Sequence, residues 1–558
     1  MARDSGEGGS FVFDLVDDGG GDVPSSLGPD AASEYDPDGA GPDDVGPDAG
    51  GPAPRGVLGL RTLAPVAAVL AIALGTGFAV DGMRDAARIE RIREAPGGVV
   101  DVSAPLEKLW TWEGPVSSED SMGWFAVAEL EGVLAFQAED ELIGLDPASG
   151  EQVWSMPLGE DAECGPLGYP GGRGPATSGL VCLQGAGAAR EAITVGRGGA
   201  ASEPRRLDAA DGRRYGTAHP GPDGTVLRAR RIGPESAIDV GDARCTEATG
   251  ECSGSVEAGR DLQLRAEDAT TGEERWRVTI PFRATAAQEC TPWYGNPWDG
   301  WEYVSADEAL APDAFGAQIG TGLIDLWGCG IWAAITPDGT LLRADGVPGL
   351  ARVVSLGDVR DAGRMTTITA MESDGPPNTT LYRPDGGVVG EIPGYVRAPQ
   401  ATDEPDALTL LASDESGFRL SSYAVDGTER WDVDVADGSP EFLAQVAGIA
   451  VTATWTGSVR GFDLATGAER WSWDTGETGD PSYGNAYAGQ AFTDGQFVLL
   501  VLQSESGTLW LASLDATSGE LVWDGSIADA ISVGQDAALL SVGGHLLAMS
   551  PAGISGLG

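Results

Sequence analysis

The sequence predicts an all-β protein, a β-propeller, from three observations. Phrases of the form Asp-x-x-Ser/Thr-Gly-x-x-x-Trp recur at Asp146–Trp154, Asp268–Trp276, Asp463–Trp471 and Asp515–Trp523. Before Asp146, Asp463 and Asp515 stand two short alternating apolar runs split by a Gly turn, the pattern of a hairpin. A Trp-bearing run, Glu107–Trp112, opens the repeat region, and a hairpin without a Trp strand, Leu539–Met549, ends it. Self-similarity with a period of about 40 to 50 residues marks a stacked or circular array. Four short antiparallel strands per repeat make a propeller blade.

Within one repeat each residue type has a local job. Asp146, Asp268, Asp463 and Asp515 bond nearby backbone amides, and Gly150, Gly272, Gly467 and Gly519 accept the positive φ that the turn needs. Trp154, Trp276, Trp471 and Trp523 fall on the outer strand that follows. A shortened copy runs Asp426–Trp431, and degenerate ones lie at Asp208–Gly212, Thr340–Gly346 and Leu381–Gly386. The copies predict eight blades, with seven as the alternative because the Asp208 copy is poor. Glu107–Trp112 resembles Glu469–Trp473 and supplies the last blade's missing strand, which closes the ring and removes free sheet edges.

The phrase resembles the repeat of the pyrroloquinoline-quinone-type propellers, a family that includes quinoprotein alcohol dehydrogenases and a bacterial outer-membrane assembly lipoprotein. The resemblance covers residues 105–558 and is confined to the repeat. It implies that each Trp packs into the next blade against that blade's Asp-Thr-Gly turn. Quinoprotein enzymes of the family hold quinone in the central channel beneath two adjacent cysteines, with calcium and a catalytic Asp. This sequence has no Cys-Cys pair and no segment matching those ligands. No catalytic residue is assigned and no cofactor is expected. Pyrroloquinoline quinone with calcium belongs only to the alternative reading of a dehydrogenase with a divergent site.

Three segments precede the ring. Residues 1–56 form an acidic tail rich in Gly, Pro, Asp and Ser, with too little apolar surface to offset ordering entropy. Residues 57–80 are apolar apart from Arg61 and Thr62, long enough for one transmembrane helix and a contact with the lipid bilayer. Residues 81–104 read as a juxtamembrane linker. Counted literally, Arg84, Arg88, Arg91 and Arg93 against Arg55 and Arg61 put the propeller in the cytoplasm. The cysteines argue the reverse. All six lie beyond the span, an even number that suits an oxidising compartment. The expectation is therefore a single-pass membrane protein, its N-terminus cytoplasmic and its propeller extracytoplasmic.

Nearest-neighbour pairing of the cysteines joins Cys164 to Cys182, Cys245 to Cys252 and Cys290 to Cys329. With no Cys-x-x-Cys spacing and only His219 and His545, a metal site is not expected. The formal net charge of −52 excludes a nucleic-acid partner, which needs a basic footprint. The candidate binding residues are Trp293, Tyr294, Trp298, Trp301 and Tyr303, aromatics set among Gly, Pro and Asn. Either they present contact area to a protein or cell-envelope glycan, or they form a small core pinned by the 290–329 bridge. The leading expectation is a non-catalytic binding or scaffold module. A quinone-dependent dehydrogenase and an extracytoplasmic sensor that signals to a cytoplasmic partner are the alternatives.

Overall fold

The computed structural model describes residues 87–558 except 115, 117–126, 168–176, 187–189, 247–251, 292–309, 343–350, 360–362, 371–376, 405–408, 415–418, 425, 436–439, 478–485, 505–508, 528–536 and 551–552, and also leaves out the side chains of 351–364 and 370. The chain divides into two units, residues 1–74 and 75–558, and the described residues belong to the second. The predicted tail and the span 57–80 lie outside them. Among the described residues no helix is long and apolar enough to cross a membrane.

The described residues form nine blades, where the sequence predicts eight or seven. In chain order they occupy 127–157, 163–206, 218–280, 315–342, 351–393, 395–434, 441–474, 487–526, and 538–557 joined by 108–113. Blade 7 shows the unit: Glu441–Val446, Ile449–Ala453, Ser458–Asp463 and Glu469–Asp474, each antiparallel to the next. The fourth strand alternates exposed and buried residues, whereas the second is buried throughout. Closure follows the predicted logic with one strand more than expected. Gly553–Leu557 follows the final hairpin, and Lys108–Glu113 pairs with it as the fourth strand of blade 9.

The count fell short because a blade does not need the phrase. Blade 2 reverses through Gly196–Ala200 and blade 4 through Thr336–Thr340, with Gly199 (φ +70°) and Gly339 (φ +88°) where blade 1 has Gly150 (φ +70°). A positive φ and alternation suffice for the turn and strand. Asp208, read as a blade turn, is instead the N-cap of the short helix Ala209–Tyr215 between blades 2 and 3, its carboxylate accepting from the Ala210 amide at 2.7 Å.

Nine apolar clusters seal the nine seams, each drawing its residues from two consecutive blades. Between blades 7 and 8, for instance, Val451, Val459 and Trp471 meet Val498, Leu500 and Leu514. Between blades 9 and 1, Leu547, Met549 and Ile554 meet Leu134, Phe136 and Leu145, so the ring is closed. Burying both faces of every sheet against its neighbours is what stabilises such a ring.

The phrase Trp is the latch of a seam. Trp276 Nε1 donates to Pro337 O (2.8 Å), Trp431 to Leu464 O (2.9 Å) and Trp471 to Ala516 O (3.0 Å). Each acceptor is the second residue of the next blade's 3–4 turn. Trp154 does the same to Arg197 O at 2.9 Å. The turn Gly leaves room for the ring: a Cβ on Gly339, Gly467 or Gly519 would meet the Trp of the preceding blade within 2.7 Å. Turn and strand are therefore one device spanning two blades. Trp471 is buried, and Trp154, Trp276 and Trp523 are partly buried.

Blade 9 breaks its own 3–4 turn, since its third strand ends the sequence and its fourth begins the ring. The segment before residue 108 fills that gap. Trp523 Nε1 donates to Val102 O (2.8 Å), as does the Ser513 hydroxyl (2.8 Å). Upstream, Val99 N–H donates to Thr493 O (2.8 Å) and Thr493 N–H to Gly97 O (2.9 Å), a parallel bridge on the first strand of blade 8. Val100 N–H reaches Gly544 O and Thr402 N–H reaches Pro96 O. Ile92, Ala95, Val99 and Val102 are buried. Residues 87–104, read from sequence as linker, thus lie on the ring as a strap across blades 7, 8 and 9.

Candidate functional site

Antiparallel order gives the ring two distinct faces. Turns 1–2 and 3–4 of each blade share one, the turn face; turns 2–3 and the links between blades share the other, the link face. The strap contacts Asp494 and Gly544, in the 1–2 turns of blades 8 and 9, so it occupies the turn face.

The link face of blades 3 and 4 carries a built lobe. Its described parts are residues 233–246 and 252–260 of the 2–3 connection of blade 3, and residues 281–291 and 310–314 of the link from blade 3 to blade 4. Ser255–Val256 pairs with Thr285–Ala286, which joins them, and Arg244–Cys245 pairs with Cys252–Ser253. The cysteine pairs are 164–182, 245–252 and 290–329. Cys290–Cys329 ties the lobe to the 2–3 turn of blade 4, and Cys245–Cys252 locks its hairpin. Ala243, Cys252, Val256, Ala287, Cys290 and Cys329 form its small core, with Phe282 and Leu310 against it.

One buried cation staples lobe to blade. Arg231, on the second strand of blade 3, donates to Arg260 O (2.8 Å), Asp313 O (3.2 Å), Ala314 O (3.1 Å) and Cys329 O (2.8 Å). Arg260 in turn grips Asp313 through both carboxylate oxygens. The fork of donors on one guanidinium thus serves four backbone carbonyls at once. The predicted binding residues Trp293, Tyr294, Trp298, Trp301 and Tyr303 lie outside the described residues. The lobe nevertheless sets the base of their segment, with Ala311 N–H donating to Cys290 O at 2.8 Å. Trp327 and Trp332, close to Cys329 in sequence, are cross-strand partners inside blade 4.

The repeat aspartates are turn residues. Asp463 Oδ1 accepts from the Ala465 and Thr466 amides (3.1 and 2.9 Å), and Asp146, Asp268 and Asp515 repeat the arrangement. Arg470 and the Thr466 hydroxyl hold the Asp463 carboxyl down at about 2. Depressed in the fold, this group contributes stability above its ordinary range near 4, and the contribution is lost as pH falls through about 2. Among the described residues no group of three or more His, Cys, Asp or Glu could hold a metal ion.

Sequence reasoning missed a charged seam between blades 2 and 3. Blade 2 has Arg205 where blades 1, 3, 6, 7 and 8 have Trp, and its Nε donates to Ala269 O (2.7 Å), the second residue of the Asp268 turn. A cation in that slot requires an anion, and Glu267, 1% exposed, supplies it. Glu267 accepts from Arg205 (2.9 Å) and Arg265 (2.7 Å), with Arg228 at 3.7 Å. Tyr215 lies under the Arg265 guanidinium, 4.3 Å from ring centre. The legible signal was alternation: Arg265 and Glu267 share one face of a strand whose other face is Leu262, Leu264 and Ala266.

A second missed group is Asp325, on the second strand of blade 4. Burial pushes its carboxyl up to about 7, and among the described residues its Oδ1 has no hydrogen-bond partner. Raised in the fold, it binds a proton that the unfolded chain releases. The contribution of this group to stability is therefore fully present below about 4 and is lost as pH rises through about 7. Asp325→Asn is expected to flatten that decline and stabilise the protein at pH 8 by on the order of 2–4 kcal/mol. Denaturant midpoints of both proteins from pH 5 to 8 measure this; parallel curves would show that the carboxyl is not strained.

No family model and no curated protein matches the sequence. Solved structures similar to it include BamB from Moraxella catarrhalis (13% identity, TM-score 0.36, covering 81% of this chain and 99% of that one). Others are the quinohemoprotein alcohol dehydrogenase of Comamonas testosteroni (10%, 0.31, 81% and 76%) and the C-terminal WD40 domain of Sif2 (12%, 0.34, 82% and 99%). The propeller assignment itself rests on the strand ladders and the nine seams.

Proposed function

We propose that this chain is a membrane-tethered, extracytoplasmic propeller with pyrroloquinoline-quinone-type repeats, which binds a protein or cell-envelope glycan partner and acts as a scaffold. The observation that supports it best is the division of labour between the faces. The chain enters the ring on the turn face, and the cross-linked lobe stands on the link face, which that attachment leaves clear. A rigid ring presenting a disulfide-locked platform suits recognition, because little ordering entropy is lost on binding. Three disulfides in the ring region favour an oxidising compartment.

The test is capture of neighbours by the full-length protein, cross-linked in its own membrane before extraction. Trp298→Ala with Trp301→Ala is expected to lower partner recovery at least tenfold while the melting temperature stays within about 2 °C. If those rings are core, the same changes cost about 3–5 kcal/mol each and the melting temperature collapses. Dye reduction by the pure protein with added quinone and calcium would replace this reading with the dehydrogenase.

A further inference from the structure

Three blades on from the lobe, the link face of blade 7 carries an aromatic that its surroundings do not explain. Trp455 is 74% exposed at the tip of the turn between the second and third strands. The turn is rigid. Thr454 N–H donates to Ser458 O (2.9 Å), Gly457 N–H to Thr454 O (3.1 Å), and the Thr454 and Thr456 hydroxyls bond at 2.7 Å. Gly457 holds φ +91°. From outside, Thr475 N–H donates to Gly457 O (3.1 Å), which clamps the end of the fourth strand against the turn.

The backbone that this turn touches leads into a second exposed aromatic, whose hydroxyl donates to Gln503 Oε1. Tyr487, 43% exposed, opens the first strand of blade 8 immediately after Ala486, whose carbonyl accepts from Thr475 Oγ1 (2.9 Å). A Cβ on Gly457 would lie 2.8 Å from that same carbonyl, so turn and strand touch. The charges at this end of blade 7 are unbalanced. Arg397 is paired with Glu441 and Arg460 with Glu469. Asp474, exposed and opposite Ser458 at the foot of the turn, has no cationic partner among the described residues.

We propose that the Trp455 turn is a docking point for an arginine-bearing segment of a partner protein. A guanidinium stacks on the indole face while its edge donates to the Asp474 carboxylate, and Tyr487 flanks the stem. Arginine fits better than lysine because its planar cation serves both contacts at once. The strongly acidic chain, −52 overall, attracts such a segment over long range and repels acidic ones. A Trp on a preorganised tip loses little entropy on contact, the condition under which one residue dominates an interface. The site does not depend on the lobe.

The probe is a nine-residue arginine-rich peptide titrated onto the full chain, with lysine-rich and neutral serine-rich peptides of equal length alongside. Trp455→Ala is expected to weaken the arginine-rich peptide at least tenfold with no change in melting temperature, and Asp474→Asn to weaken it about threefold. The wild-type affinity should fall steeply with salt, with the lysine-rich peptide weaker at every salt concentration. Equal affinity of wild type and Trp455→Ala would overturn the proposal, because binding would then be diffuse attraction to an acidic surface. So would loss, in that variant, of binding to a neutral oligosaccharide with the peptide affinity retained. Partner capture through the lobe is a separate readout that neither result changes.

Discussion

Deleting residues 87–103 while keeping the rest of the chain is expected to destabilise the ring by about 5 kcal/mol. The deletion removes the burial of Ile92, Ala95, Val99 and Val102, worth about 0.8 kcal/mol for a methyl-sized group and about 1.5–2 kcal/mol for a buried Val or Ile. It also strips the Trp523 indole and the Ser513 hydroxyl of their shared acceptor, Val102 O. The damage should concentrate in blades 8 and 9, which the strap joins. Hydrogen exchange should show first-strand amides of blade 8, Thr493 among them, losing protection before those of blade 3. A denaturant midpoint equal to that of the intact chain would mean that the strap lies on the ring without supporting it.

Glu267→Ala is expected to cost about 3–5 kcal/mol, the range for removing one member of a buried charge network. Arg205, Arg265 and Arg228 would be left crowded at the seam without their common anion, in a position the solvent barely reaches. Arg205→Ala alone should cost less, since the Arg205 side chain is 17% exposed against 1% for Glu267 and water can replace part of what it does. The double variant should cost less than the sum, because the two residues share one interaction. Thermal and urea unfolding of the four proteins complete the cycle. A change below about 1 kcal/mol in Glu267→Ala would show that the seam is wet and its charges screened.

What the sequence determined by itself was local. Asp, Gly and Trp at fixed spacing specify a turn and the strand after it, because amide capture by a carboxylate and a positive φ are decided within nine residues. The closing strand was legible for the same reason, as a copy of Glu469–Trp473 displaced to the start. Two of the three cysteine pairs are equally short-range, whereas Cys290–Cys329 spans 39 residues and joins the lobe to blade 4. Cys164 faces Cys182 and Cys245 faces Cys252 across adjacent strands of single hairpins.

Tertiary structure decided whatever depends on two segments far apart in sequence. Blade 2 was represented only by the misplaced Asp208 copy because it reverses through glycines, and only the fold shows Arg205 reaching Ala269 in place of a Trp. That substitution moved a carboxylate into a seam 62 residues away, a dependence that no local pattern records. Val102 standing in for a missing turn is the same case, 421 residues from the Trp523 it serves. Burial decided Asp325, since a strand residue turns towards solvent or towards the next blade according to register alone. Periodicity writes the turns and strands; the matching of one blade's outer strand to the next blade's turn arises only when the ring closes.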